Sequence, residues 1–343
     1  MSEEMTYAKA GVDIEKVRRS HKAIAELLKE TFSSRKGKFG QVLIEVGHYA
    51  GLIDVGGGLA LALHTDGVGT KTLIAKIMNK YDSIGIDCIA MNVNDLICLG
   101  AEPVALVDYL AIDEPNEKVI LEIMDGLIKG AKEAGVAIVG GETAVMPDLI
   151  NGFDLSAMSI GIVKKDEVIT GEKINLGDVI IGLESSGIHS NGLTLARKVL
   201  LLKYNVKDYI SELKSTLGEE LLKPTKIYVK PVLEVIKNCE VHGLANITGG
   251  AFSKLTRLKR NVGFNLNALP ESPAIFKLIQ KLGAITDKEM HRTFNMGVGF
   301  CIIAPEKEYE KVKEICKKYK LNSWIIGEVI KNPGVFIKNL QIA

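Results

Sequence analysis

The chain has almost no net charge: 43 Lys and Arg face 42 Asp and Glu, for a formal value of +1. That removes the electrostatic case for nucleic acid or an anionic membrane surface as a partner, so any anion site must be local. Its five cysteines, Cys88, Cys98, Cys239, Cys301 and Cys316, form no C-x-x-C pair and have no His at zinc spacing. A structural metal and a disulfide framework are therefore not expected, and a reducing, cytoplasmic compartment with buried thiols fits better. No run of about eighteen apolar residues is present to span a membrane. Charges run from Glu3-Glu4 through Arg18-Arg19 to Lys29-Glu30, which leaves no apolar signal-peptide core. Low-complexity segments and short repeats are also missing.

What is present is globular: 343 residues, 47% hydrophobic and 25% charged. Such a length predicts roughly two domains. Residues 13–32 have the spacing of an amphipathic helix, with Val17, Ile24, Leu27 and Leu28 on its apolar side. Helix and strand then alternate: strand 59–65, helix 72–80, helix 83–99 ended by Gly100, strand 104–112, helix 117–134 ended by Gly135, strand 136–140 and strand 155–164. The polar stretch Lys164–Lys173 reads as a connection, and the boundary is expected near residue 168, giving domains 1–168 and 169–343. Helices near 191–203, 225–237, 273–282 and 306–319 and strands near 262–268, 297–304 and 324–330 make the second half α/β or α+β as well.

The apolar strand Leu59-Ala-Leu-Ala-Leu-His runs into Asp66-Gly-Val-Gly-Thr-Lys71. Gly67 and Gly69 permit positive φ and close approach of backbone N–H groups to a ligand. Asp66 could hold a cation, with Thr70 and Lys71 near a phosphate. This is not a Walker A loop, whose glycine spacing is longer, and an Asp-Gly turn is the simpler alternative. In helix 83–99, Asp87 and Asn94 lie within roughly 20° of each other and Asp95 about 80° from Asp87, so the three share a side among apolar neighbours. Asp66, Asp87 and Asp95 form a candidate magnesium–nucleotide set, because Mg2+ commonly binds through one or two carboxylates plus substrate phosphates. Val139-Gly-Gly-Glu-Thr143 again ends a strand with glycines, an acid and a hydroxyl, and Glu142 and Thr143 join the candidates. Ser185-Ser-Gly-Ile-His-Ser-Asn191 precedes a helix. Ser190 and Asn191 suit an incoming phosphate, and His189 could polarise or protonate an oxygen.

Taken in order, Ala10-Gly-Val-Asp-Ile14, Asp66–Lys71, Gly85-Ile-Asp87, Asn92-Val-Asn-Asp95, Gly100-Ala-Glu-Pro103, Gly140–Ala144, Ser185–Gly192, Pro224-Thr225, Ile227-Tyr-Val229 and Arg292–Gly299 closely resemble the aminoimidazole ribonucleotide synthetases. The resemblance implies ATP-dependent closure of formylglycinamidine ribonucleotide to aminoimidazole ribonucleotide, with ATP and Mg2+ as cofactors. It implies an α/β N-terminal domain that builds a β-barrel with its copy in a homodimer, beside an α/β C-terminal domain. Asp66, Gly67, Gly69, Thr70, Lys71, Asp87, Asn94 and Asp95 would form the ATP–magnesium side, Glu142 and Thr143 would lie between, and His189, Ser190 and Asn191 would face the substrate. The catalytic assignments are His189, Lys71 and Asp66.

Three departures stand out. Val145 and Asp148 replace a second glutamate and a glycine, Asn246 replaces a histidine before Ile-Thr-Gly-Gly, and Ala25 replaces a lysine. Selenophosphate synthetase, thiamine monophosphate kinase and a non-catalytic nucleotide-binding regulator remain as alternatives.

Overall fold

The computed structural model describes residues 5–343, so Glu3 and Glu4 of the charged N-terminal stretch lie outside it. The first half runs α1 (Ile14–Phe32), β1 (Gly51–Gly56), β2 (Leu59–Gly67), α2 (Lys71–Met78), α3 (Asp82–Leu96), β3 (Glu102–Ile112), α4 (Glu117–Ala134), β4 (Ala137–Val145) and β5 (Phe153–Lys164). Its sheet has the order β1-β2-β5-β3-β4, antiparallel except for the β3–β4 pair that α4 connects. Helix α4 forms where its ends are satisfied: the Asn116 side chain accepts the Val119 N–H, and Gly135 closes the last turn at φ +80°.

The second half runs β6 (Val179–Glu184), α5 (Leu193–Leu200), β7 (Tyr209–Ile210), β8 (Ser215–Thr216), α6 (Leu217–Leu221), α7 (Val229–Asn238), β9 (Gly243–Asn246), β10 (Gly263–Leu266), α8 (Ala274–Gly283), α9 (Asp287–Thr293), β11 (Val298–Ala304), α10 (Tyr309–Lys318), β12 (Ser323–Ile330), β13 (Gly334–Ile337) and β14 (Leu340–Gln341). Its main sheet has the order β14-β13-β10-β12-β6-β11-β9. The central strands β6 and β11 are buried along their length, as the continuous apolar runs in the sequence require.

Three sequence expectations need adjustment. Strand β4 does not stop at Gly140 but runs to Val145, because its parallel pairing with β3 continues through Ile112↔Val145. Helix α7 starts at Val229 instead of 225, since the backbone of the preceding residues bonds to α3. The apolar side of α1 is not a core face: Val17, Ile24, Leu27 and Leu28 are all exposed, Leu27 at 65%.

One face of the first sheet is covered by α3, and α4 packs against α3 at very close range. A Cβ on Gly85 would lie 2.2 Å from Leu127 N, and one on Gly126 would lie 1.8 Å from Asp82 O. Both contacts are with backbone, which cannot step aside. Gly126→Ala is therefore expected to lower stability by about 1–3 kcal/mol, measured by denaturant unfolding, and an unchanged midpoint would contradict this packing.

Candidate active site

Helix α3 is buried on nearly every side and yet carries Asp87, Asn92, Asn94 and Asp95. Each finds a partner outside the helix. Asp87 Oδ1 accepts from Thr225 N at 2.7 Å and from Thr225 Oγ1 at 2.5 Å, while its Oδ2 lies 2.7 Å from Lys71 Nζ. Asn94 donates to Lys226 O and accepts from Tyr228 N, both at 2.9 Å. Asp95 Oδ1 accepts from Asn246 Nδ2 at 2.6 Å. The side that Asp87, Asn94 and Asp95 share thus faces the second half of the chain. Asn92 instead clamps the end of β2, accepting from Asp66 N and donating to Asp66 O.

These bonds alter several roles read from the sequence. Lys71 is fully buried and donates to Lys223 O as well as facing Asp87, so it is not directed at a ligand. Burial lowers its pKa, against the opposing pull of Asp87. Asp87, with both oxygens engaged, is separated from the proposed metal set. Among the described residues no group of three His, Cys, Asp or Glu side chains is disposed to hold a metal. Asn94 is a clamp between halves, its amide nitrogen and oxygen each bonded to the second half of the chain.

Glu142 is displaced for a reason of register. Asp66, Ala157, Asp108 and Gly141 lie in one row across the sheet, whereas Glu142 lies in the next row with Gly67, Ser156 and Tyr109. Adjacent rows point to opposite faces, and three strand spacings amount to about 14 Å. Glu142 and Asp66 therefore do not meet within one chain. Thr143, next to Glu142, is likewise exposed on β4, the edge strand.

Asp66, Gly67, Gly69, Thr70, Ser190 and Asn191 converge. A cavity of about 310 Å³ is lined by Tyr7, Asp66, Gly67, Gly69, Thr70, Ser190, Asn191, Gly192 and Thr194, among others. Two helix N-termini open onto it: α2 follows Thr70, and α5 follows Gly192 at φ +75°. Thr70 Oγ1 and Thr194 Oγ1 bridge the two at 3.0 Å. Paired helix N-termini with hydroxyls and a glycine loop make an anion site. A larger hollow on α4, lined by Glu117, Lys118, Leu121, Glu122 and Asp125, carries three acids and is unsuited to a polyphosphate.

At the edge of the cavity Asp66 accepts from its neighbour's N–H, Gly67 N, at 2.8 Å. Burial, with the charge of Asp95 next, raises the pKa of Asp66. The charge of Asp95 beside the buried Asp66 favours a cation there, and hard carboxylate oxygens suit Mg2+. Asn246 Oδ1 is buried beside Asp95 with no hydrogen-bond partner.

His189, at φ +64°, is buried, and burial lowers its pKa to about 3. Its Nε2 accepts from Ser186 N at 3.2 Å, which places the proton on Nδ1, an atom with no partner. The imidazole is thus a neutral N–H donor: it can polarise an oxygen but has no proton to transfer at neutral pH. Gly299 makes room for it, since a Cβ there would lie 2.6 Å from the ring. Sequence reasoning missed Tyr7, Thr194 and the role of Thr225. Only Thr225 left a signal, in the Pro224-Thr225 pair.

Comparison with known proteins gives the family. Residues 47–163 match the AIR synthase related protein N-terminal domain, and residues 175–338 match the corresponding C-terminal domain. The chain belongs to the AIR synthase family. The phosphoribosylformylglycinamidine cyclo-ligase of Pyrococcus furiosus is 56% identical over 98% of this chain and 99% of its own length. That of Methanocaldococcus jannaschii is 52% identical over 95% and 92%. Among solved structures, a thiamine-monophosphate kinase from Stenotrophomonas maltophilia shares the fold, with TM-score 0.64, 19% identity, and coverage of 92% of this chain and 96% of that one. So does AaThiL complexed with AMPPCP and TMP, with TM-score 0.63, 17% identity and coverage of 92% and 93%.

In this AIR synthase family member the seam depends on α3 amides with no spare partner. Asn94→Ala would leave a carbonyl and an N–H of the second half buried and unpaired, so a stability loss on the order of 2–4 kcal/mol is expected by chemical denaturation. A loss below about 0.5 kcal/mol would show that Asn94 is not a clamp.

Proposed function

We propose that the chain is an ATP-dependent cyclo-ligase of purine biosynthesis, converting formylglycinamidine ribonucleotide to aminoimidazole ribonucleotide, ADP and phosphate. The observation that carries this reading is the convergence of two helix N-termini, two threonines and Asp66 on one cavity at the junction of the halves. Near-full-length identity to cyclo-ligases supports the choice of substrate. The division into residues 1–168 and 169–343 is part of the proposal, and the chain works in the cytoplasm.

The formyl amide oxygen attacks the γ-phosphorus of ATP. The bond from phosphorus to the bridging oxygen breaks and ADP leaves. The amidine nitrogen then attacks the activated carbon, phosphate departs with the former formyl oxygen, and loss of a proton gives the aromatic ring. Gly67, Gly69, Thr70, Ser190, Asn191 and the N-termini of α2 and α5 hold phosphate oxygens. Asp66 and Asp95 would hold Mg2+, which when bound spreads the charge of the polyphosphate. Neutral His189 donates from Nδ1 to the formyl oxygen and orients it. Lys71 acts at one remove, by neutralising Asp87 behind this wall.

A homodimer completes the proposal. The face of the first sheet away from α3 carries Leu61↔Ile162, Leu63↔Ile160 and Val107↔Met158 as cross-strand neighbours. Met158 is 44% exposed and Val139 67%. An antiparallel sheet with a solvated face ordinarily alternates with polar residues there, so a contiguous apolar face calls for a partner. A second copy is the partner we infer.

Three outcomes follow. Incubation with ATP, Mg2+ and formylglycinamidine ribonucleotide is expected to yield ADP and aminoimidazole ribonucleotide in equal amounts. His189→Ala should lower turnover by about 10² with nucleotide binding retained, and an unchanged rate would remove His189 from the mechanism. Met158→Glu combined with Ile162→Glu should shift the mass by light scattering from dimer to monomer. A monomeric parent chain would end the dimer reading.

A further inference from the structure

The segment Pro224–Tyr228 lies between helix α3 and the loop that carries His189, and it is fastened to both. Toward α3, Thr225 N and Oγ1 donate to Asp87 Oδ1, and Tyr228 N donates to Asn94 Oδ1. Toward the loop, Pro224 O accepts from Ser186 Oγ at 2.5 Å. Tyr228 Oη donates at 2.7 Å to Glu184 O, one residue before the loop begins. Bonded at its backbone and at its hydroxyl, the fully buried Tyr228 has one place to sit. Its ring centroid is 6.4 Å from that of His189 and 5.4 Å from that of Phe300, within the range of aromatic contact. Gly299 lets the two side chains meet. A Cβ there would lie 2.1 Å from Tyr228 Oη and 2.6 Å from His189 Cε1, so both rest against one bare Cα.

The imidazole is thus held from two sides. Ser186 N–H fixes Nε2, and the Tyr228 ring limits the swing of the imidazole about that bond, which aims Nδ1–H, an atom with no partner among the described residues, in one direction. A neutral donor polarises an oxygen effectively only when it is held in line with it before the substrate arrives. We propose that Tyr228 is a positioning residue of the reaction: docked on α3 through Asn94, it holds the His189 ring so that Nδ1–H points at the reacting oxygen. The inference rests on reading His189 as the donor to the formyl oxygen. Its consequence is that α3, a helix of the first half, governs the aim of a donor carried by the second.

The test uses the full chain in steady-state turnover of ATP and formylglycinamidine ribonucleotide, with Tyr228→Phe made both in the parent and in the His189→Ala chain. Tyr228→Phe keeps the ring and removes the anchor to Glu184 O. It should lower kcat about tenfold while both KM values stay within about twofold, because binding is kept and alignment is lost. In the His189→Ala chain the same substitution should change kcat by less than about twofold, since no imidazole is left to align. An unchanged kcat in the parent overturns the proposal. So does an equal fall in both backgrounds, which marks a general loss of structure. Thermal melting identifies a variant that fails to fold. In that event Ser186→Ala, which cuts the tie to Pro224 O, takes its place with the same expectation in both backgrounds, and the same two results overturn the proposal. The levels of the argument separate. A parent chain that forms no aminoimidazole ribonucleotide ends the functional reading, and the inference falls with it. If His189→Ala turns over as fast as the parent, the reading of His189 fails and takes the inference along. If His189→Ala slows turnover while Tyr228→Phe does not, only the positioning role is lost.

Discussion

The structure depends on the polar side of one buried helix. Helix α3 places Asp87, Asn94 and Asp95 where water cannot satisfy them, and every one is paired with the second half of the chain or, for Asp87, with Lys71 as well. An uncompensated carboxylate in such a place would cost several kcal/mol. The first half is therefore incomplete without the second. The cavity arises along this junction, because β2 and α2 bring Asp66 to Thr70 to it from one side and the loop before α5 brings Ser190 and Asn191 from the other.

The same constraint explains which parts of the site were legible in the sequence. The glycine loop after β2 and the polar loop before α5 could be read because their chemistry is local: positive φ, small side chains and helix N-termini are properties of a few consecutive residues. The shared side of Asp87, Asn94 and Asp95 was also legible, since it follows from helix geometry alone. What that side faces was not. A carboxylate presented to a metal and one presented to a buried lysine have the same spacing, and only the fold puts Lys71 beside Asp87. Glu142 shows the limit for strands. Reading β4 as ending at Gly140 hid the fact that parallel pairing carries it onward, and one step in register decides which face Glu142 occupies. The bareness of the α1 stripe was equally invisible, because an amphipathic pattern says that a face is apolar without saying what covers it.

Two departures from the family pattern now have a physical reading. Asn246 holds Asp95 through an amide, which does not titrate, so this contact keeps the same form across the range in which a histidine would change charge. Val145 closes the ladder of β4 against Ile112 and is half exposed, a position where a side chain contributes little to the core. His189 illustrates the same economy on the substrate side. Held neutral by burial and by the Ser186 N–H, it offers one directed N–H donor and does not act as an acid at neutral pH.

The central claim is that the ligand cavity belongs to both halves at once. Hydrogen–deuterium exchange of the whole chain, with and without the magnesium complex of a non-hydrolysable ATP analogue, tests it most directly. The account predicts that residues 66–70 and 190–194 gain protection together at the same ligand concentration. Protection confined to one of these segments, or centred on the acidic hollow of residues 117–125, would contradict it.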